Sequence, residues 1–253
     1  MRSFGAAADY YAAFRAGFPD SFFDRITVRG LGVAGQVLVD LGTGTGTLAR
    51  GFAARGASAI GVDPDARLLE QARRLSAEAR LAVDYREGTA EAIPVPDASA
   101  DIVTAGQCWH WFDADRAAAE CARVLRPGGW MVIGHFDWLP APGSVVEATE
   151  RLIQRHNPAW KWGGGNGFHP HEVADLERAG FTDIETFSYG VDVPYAPEGW
   201  RGRIRASAGV GASLTPEKVD AFDAELAALL EEKFPDGVVV TPHRVFAIVA
   251  RRP

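Results

Sequence analysis

Short, nearly continuous apolar runs at 36–41, 57–62, 81–86, 101–106 and 129–136 have the length of buried strands, and the segments between them carry apolar residues at helical spacing. In the segment 64–75, Ala66, Leu69, Ala72, Arg73 and Leu75 form the predicted inner face. In 113–125 the same role falls to Ala117, Cys121, Val124 and Leu125. Strands that alternate with helices predict an α/β protein built on a doubly wound, mostly parallel sheet. Beyond residue 180 the strand rhythm returns from Thr182 through Val193 and from Val238 through Ala250, with a helix over about 216–234 between them.

The first strand runs directly into Asp40-Leu41-Gly42-Thr43-Gly44-Thr45-Gly46-Thr47. So tight a strand-to-helix reversal needs backbone that tolerates positive φ and lets a ligand approach closely, which is what Gly42 and Gly44 offer. A dinucleotide site would place a third glycine at G-x-G-x-x-G, but that position holds Thr47. Asp40 argues the same way: its charge repels a pyrophosphate and attracts an ammonium group. An amino-acid-bearing nucleoside suits the loop better than a dinucleotide. The second strand ends in Asp63, about 20 residues after the first glycine, where a carboxylate grips ribose hydroxyls. With Pro64 beside it, Asp63 also reads as the N-cap of the next helix, and the two roles are compatible.

Composition narrows the class of ligand. A net charge of −7 leaves no basic stripe for a phosphate backbone, so the chain is expected to act on a small molecule and not on nucleic acid. No apolar run reaches the length of a membrane helix and no leader is apparent, which predicts a cytoplasmic protein without a membrane partner. The two cysteines, Cys108 and Cys121, stand apart from any C-x-x-C pair and are expected in the core. His169-Pro170-His171 is a short histidine spacing that no neighbouring ligand set completes.

Four segments together resemble the class I S-adenosylmethionine-dependent methyltransferases, in particular the small-molecule group that includes ubiquinone-biosynthesis and trans-aconitate methyltransferases. They are the loop Asp40 to Gly46, Asp63, the stretch Glu87-Gly88-Thr89-Ala90-Glu91-Ala92-Ile93-Pro94, and Arg123-Val124-Leu125-Arg126-Pro127-Gly128-Gly129. The resemblance implies a single domain over 1–253 with seven strands in the order 3-2-1-4-5-7-6, the last antiparallel. Two segments exceed the minimal fold, 138–170 and 194–215, and are expected to form a small helical cap.

The resemblance also assigns residues. The donor, S-adenosyl-L-methionine, with S-adenosyl-L-homocysteine as product, would be bound by Asp40, Gly42, Thr43, Gly44, Gly46, Asp63, Pro64, Thr89, Ala90, Glu91 and Gln107. Thr89 stands where the family often has an Asp for the adenine amino group. Near the N-terminus, Tyr11 and Arg15 match the segment that covers the amino-acid end of the donor, with Ala16 replacing the usual proline. After the fourth strand, Cys108-Trp109-His110-Trp111-Phe112 resembles the His-Trp-Phe signature of the trans-aconitate-like group.

The acceptor is expected to be methylated at oxygen, carboxylate or hydroxyl, by metal-free in-line displacement. A hydroxyl needs a base, and His110 is preferred to His135 for that role. Acceptor contacts are expected from Trp109, His135, Trp162 and His169, and from Arg203 in the run Arg201-Gly202-Arg203-Ile204-Arg205, whose arginines suit a carboxylate or phosphate unless they pair with acids of the 217–232 helix. Trp162 lies in a mobile glycine tract, Trp160 to Gly167. C- or N-methylation, a nicotinamide dehydrogenase and a non-catalytic nucleoside-binding protein remain open, as do monomer and homodimer.

Overall fold

The computed structural model describes residues 17–252. Seven strands form one sheet in the order β3-β2-β1-β4-β5-β7-β6. They are β1 Val37–Leu41, β2 Ser58–Asp63, β3 Val83–Glu87, β4 Ala100–Gly106, β5 Leu125–Trp138, β6 Thr182–Tyr195 and β7 Val239–Arg251. The four pairs among β1 to β5 are parallel, and their register sets Asp40 opposite Gly61 on one side and Thr104 on the other. β7 runs against β5: the Leu139 amide donates to the Pro242 carbonyl and the Arg252 amide to the Gly129 carbonyl, so residue numbers rise on one strand as they fall on the other. The expected order and the antiparallel last strand are both present.

Eight α-helices occur among the described residues: α1 Asp20–Thr27, α2 Thr47–Ala53, α3 Ala66–Glu78, α4 Ala114–Val124, α5 Val145–His156, α6 Pro170–Arg178, α7 Pro197–Arg205 and α8 Pro216–Lys233. None is long and apolar enough to cross a membrane. α3 starts after Asp65, whose side chain accepts the Arg67 amide, so the cap is Asp65 and Asp63 is left for other work. Its buried stripe is Leu68, Leu69, Ala72 and Ser76, which corrects the predicted face: Ala66 and Arg73 are exposed. Ser76 can occupy a core position because its hydroxyl meets that of Tyr85 at 2.9 Å. α4 turns Ala117, Cys121 and Val124 inward as expected.

Long-range packing divides the described chain into two compact units. One comprises Gly17–His135, His169–Ser188 and residues 246–252 and has a core of Val39, Leu41, Val103, Ala117, Cys121, Ile133, Leu176, Ile248 and their neighbours. The other comprises Phe136–Phe168 and Tyr189–Val245 and is built around Val146, Ile153, Trp200, Ile204, Phe222 and Leu226. Most of 138–170 and all of 194–215 fall in this second unit, where they supply α5 and α7. Both cysteines are buried, and desolvation pushes the Cys121 thiol far above its ordinary range.

The segment Arg123 to Gly129 has a structural task. The Arg123 guanidinium donates to the carbonyls of Val95 and Ile93 and pairs with Glu120 and Asp97, which ties the loop after β3 to α4. The register then shifts between Ala100 and Ile102, from Leu125 to Trp130 across the strand pair. Pro127, with no amide to donate, and Gly128, at φ +75°, fit that irregular stretch.

Candidate functional site

In the first unit, β1 ends in a loop whose three glycines all lie in the left-handed region, with φ of 55° at Gly42, 55° at Gly44 and 80° at Gly46. Their surroundings separate their roles. A Cβ on Gly42 would lie 3.0 Å from Cys108 and 3.2 Å from Phe112, and one on Gly46 would run into the Tyr85 hydroxyl. Among the described residues, a Cβ on Gly44 would meet nothing nearer than the Gly42 carbonyl at 4.0 Å. Gly42 and Gly46 therefore serve packing, and Gly44 presents bare backbone to open space. The loop is drawn to the sheet by the Thr43 amide, which donates to the Val62 carbonyl at 3.0 Å.

Two carboxylates brace this loop. Asp63, nearly buried, accepts the Gly44 amide at 2.9 Å on one oxygen and the Asp65 amide at 2.9 Å on the other. Burial raises its pKa, opposed by those two amides. Each oxygen keeps a lone pair for a ligand hydroxyl. Asp40 accepts the hydroxyls of Thr43 at 2.6 Å and Thr104 at 2.7 Å, as the strand register requires.

Desolvation pushes the Asp40 carboxyl up to about 6, against those hydrogen bonds. A carboxyl held above its unfolded value stabilises the fold below about pH 4, and that contribution is lost as pH rises to about 6. A shift of this size corresponds to about 3 kcal/mol. Asp40→Asn is expected to remove this slope, read as unfolding free energy in urea at pH 4.5 and 7.5 for both proteins. An unchanged pH dependence in the variant would refute the assignment.

The remaining residues expected around the donor lie along the same strand ends. Thr89 is exposed and bridges to Ala92, Ala90 is buried, and the Glu91 carboxylate accepts the Asp113 amide at 3.0 Å at the start of α4. Pro64 is exposed between Asp63 and the α3 cap. Gln107 has φ 61°, a left-handed conformation that is rare for its type and carries the chain away from β4. Its amide donates to the Gly134 carbonyl. Tyr11 and Arg15 lie outside the described residues.

A single 3-10 turn, Trp109–Trp111, follows. Trp109 points into the core, 1% exposed, and its indole N–H donates to Asp175 of α6 at 3.0 Å. His110 is exposed on the same turn, with its ring 6.4 Å from that of His135. His135, on β5, is buried against Glu172 of α6: its Nε2 lies 2.8 and 3.0 Å from the two carboxylate oxygens. Its Nδ1 is buried with no hydrogen-bond partner among the described residues. The His169 ring stacks on His135 at 3.6 Å and 13°. Donor atoms of these three side chains come within 4.8 Å of one another, yet an ion in the plane of one imidazole would lie a stacking distance from the plane of the other.

Comparison with known proteins bears on this arrangement directly. Residues 39–133, from β1 through most of β5, match the family profile for a methyltransferase domain. An uncharacterised methyltransferase of Mycobacterium tuberculosis is 39% identical over 193 residues, covering 69% of this chain and 74% of the relative. The chain belongs to the class I S-adenosylmethionine-dependent methyltransferases. A ubiquinone biosynthesis O-methyltransferase of Rhodopseudomonas palustris is 37% identical over 143 residues, 54% of this chain and 56% of the relative. Phosphoethanolamine N-methyltransferase 2 of Haemonchus contortus, solved with phosphomonomethylethanolamine and S-adenosylhomocysteine, shares the fold at a TM-score of 0.60 and 21% identity. That similarity covers 100% of this chain and 60% of the other.

The methyltransferase carries its other predicted residues in the second unit. Trp162 is 57% exposed, and in the glycine tract around it the Gly164 amide donates to Glu150 at 2.8 Å, while Trp160 is buried in the core. Glu150 also accepts the Trp138 indole N–H at 2.8 Å. Of the three arginines on α7, Arg201 and Arg205 both pair with Asp223 of α8, whereas Arg203 lies 4.8 Å over the Trp138 ring. Sequence reasoning did not find Glu172 or Glu150. The sequence carries no local sign of either, because their partners lie 37 and 12 residues away.

Proposed function

We propose that the enzyme transfers a methyl group to an oxygen of a small-molecule acceptor without a metal ion. In this reading the donor lies against Gly44, its ribose on Asp63, its adenine beside Thr89, Ala90 and Glu91, and its amino-acid end towards Asp40, Thr43 and Gln107. The observation that carries it is the open side of Gly44, beside a carboxylate that already holds the Gly44 amide. The donor supplies a methyl group on a sulfonium, which leaves as a neutral thioether. The protein's contribution is to position the acceptor in line and to take up a proton where the acceptor is a hydroxyl.

Oxygen is favoured by the R. palustris relative, named as an O-methyltransferase. It is also favoured by the chain after β4, where Gly106-Gln107-Cys108-Trp109 stands in place of the Asn-Pro-Pro-Tyr that would hold a target amine or amide. His110 is the base in this reading because its ring is exposed, whereas His135 is enclosed and engaged with Glu172. His135, with His169 against it, then frames the acceptor side of the strand ends.

Labelled-methyl transfer from S-adenosylmethionine to a panel of small phenols, alcohols and carboxylic acids identifies the acceptor class. For a hydroxyl acceptor, His110→Ala is expected to lower kcat about 100-fold or more, with unchanged affinity for S-adenosylhomocysteine. For a carboxylate acceptor, already ionised, the same variant is expected to keep most of its kcat. Transfer to amines alone would overturn the oxygen assignment.

A further inference from the structure

We propose that Arg203 anchors an oxyanion-binding site in the second unit, one that takes a carboxylate or phosphate group of a small molecule. This goes beyond methyl transfer and does not depend on which atom is methylated. α7 carries arginines at 201, 203 and 205. Residues 201 and 205 are four apart and share one helix face, while 203 is turned roughly 200° from its neighbour at 201. The structure follows that geometry. Arg201 and Arg205 converge on Asp223, and Arg203 faces β-strand residues instead.

Three surroundings define the Arg203 head group. Its guanidinium carbon lies 4.8 Å from the centroid of the Trp138 ring, a cation–π contact that uses none of its N–H donors. No carboxylate of the described residues comes within 4.0 Å of it. Asp137 and Tyr195 are close enough to favour its charge, but burial outweighs them and lowers its pKa from the ordinary value. His243, 3% exposed, gives its Nδ1 to the Thr241 carbonyl at 2.9 Å and is held neutral, its pKa pushed down to about 4 by burial and, less, by the Arg203 charge.

Arg203 is half-buried, and a cation partly withdrawn from water is costly unless it is paired, while an aromatic face returns only part of what hydration gave. The neighbouring arginines meet this demand with Asp223. Arg203 has no such partner among the described residues, and an anionic ligand would provide it. The fork of a guanidinium matches the spacing of two carboxylate or phosphate oxygens, which makes oxyanions the class it recognises.

Calorimetric titration of the full chain with succinate and, separately, with inorganic phosphate at constant ionic strength tests the site. Saturable binding of at least one anion is expected, weakened at least tenfold in Arg203→Met and less than threefold in Arg205→Met, which removes the same charge from the same helix. Arg203→Lys, which keeps charge without the fork, should fall between wild type and Arg203→Met, and it decides the matter if the Met variant does not fold. Preference for succinate assigns the site to carboxylates and preference for phosphate to phosphorylated ligands. Absence of saturable binding in the wild type, or equal binding by both Arg203 variants and the wild type, overturns the proposal. Titration of the same samples with S-adenosylhomocysteine keeps the two readings apart: a wild type that fails to bind it speaks against the donor pocket and leaves the anion result standing.

Discussion

Gly44→Val is expected to reduce S-adenosylhomocysteine affinity by more than 100-fold while the protein remains folded. Two effects combine. A β-branched residue at φ +55° costs on the order of 1–3 kcal/mol in backbone strain, which the loop can relieve only by moving away from the conformation that presents its amide to Asp63. The valine methyls also fill the open side of the loop, the one face of the three glycines that the described residues leave bare. Gly44→Ala separates the two, because it keeps most of the backbone strain but adds far less bulk. Calorimetry on both variants, with thermal unfolding as the control for folding, reads the effect. A folded valine variant that binds within a few-fold of wild type would mean that Gly44 does not face the ligand.

Asp63→Ala carries the second large effect, a loss of about 2–3 kcal/mol in the same affinity, or roughly 30- to 150-fold. The carboxylate is expected to accept hydroxyl hydrogen bonds, and its removal also strands the amides of Gly44 and Asp65, so the loop loses its brace together with the ribose contact. Asp63→Asn keeps one acceptor oxygen and should fall between wild type and alanine. An alanine variant with wild-type affinity would sink the ribose assignment. Comparison with Gly44→Ala tells whether the two positions act as one, since residues that share a hydrogen bond do not contribute additively.

Much of this site was legible because it is local. The apolar run of β1, the glycine alternation and the acid at the end of β2 lie within thirty residues, and each follows from strand, turn and helix chemistry. The order of strands came from resemblance, since periodicity gives the elements but not their neighbours. What escaped reading depended on partners distant in sequence. The inner face of α3 was legible at Leu69 and Ala72 but not at Ser76, which looks like a surface residue until Tyr85, from the next strand, supplies its hydrogen bond. The arginines of α7 looked equivalent, and only Asp223 on α8 divides them into a paired couple and a third that faces elsewhere. Glu172 sits in an ordinary amphipathic helix and gains meaning only when His135 arrives from β5. Trp109, read as a ligand contact, is placed in the core with its N–H satisfied by Asp175.

The place of β7 has a consequence for how the chain is made. It lies between β5 and β6 although it is synthesised after both, and Ile248 and Ala250 belong to the same core as Val39 and Leu41 from β1. As the chain leaves the ribosome, β5 has an open edge and β6 no neighbour until residues 239–251 emerge. The nascent protein therefore passes through a stage in which two strand edges are exposed to solvent and to other nascent chains. β6 meets that stage with an edge strand's composition, since Asp183, Glu185 and Asp192 are spaced along it. Charges of this kind discourage edge-to-edge pairing with the wrong partner while the right one is still being translated.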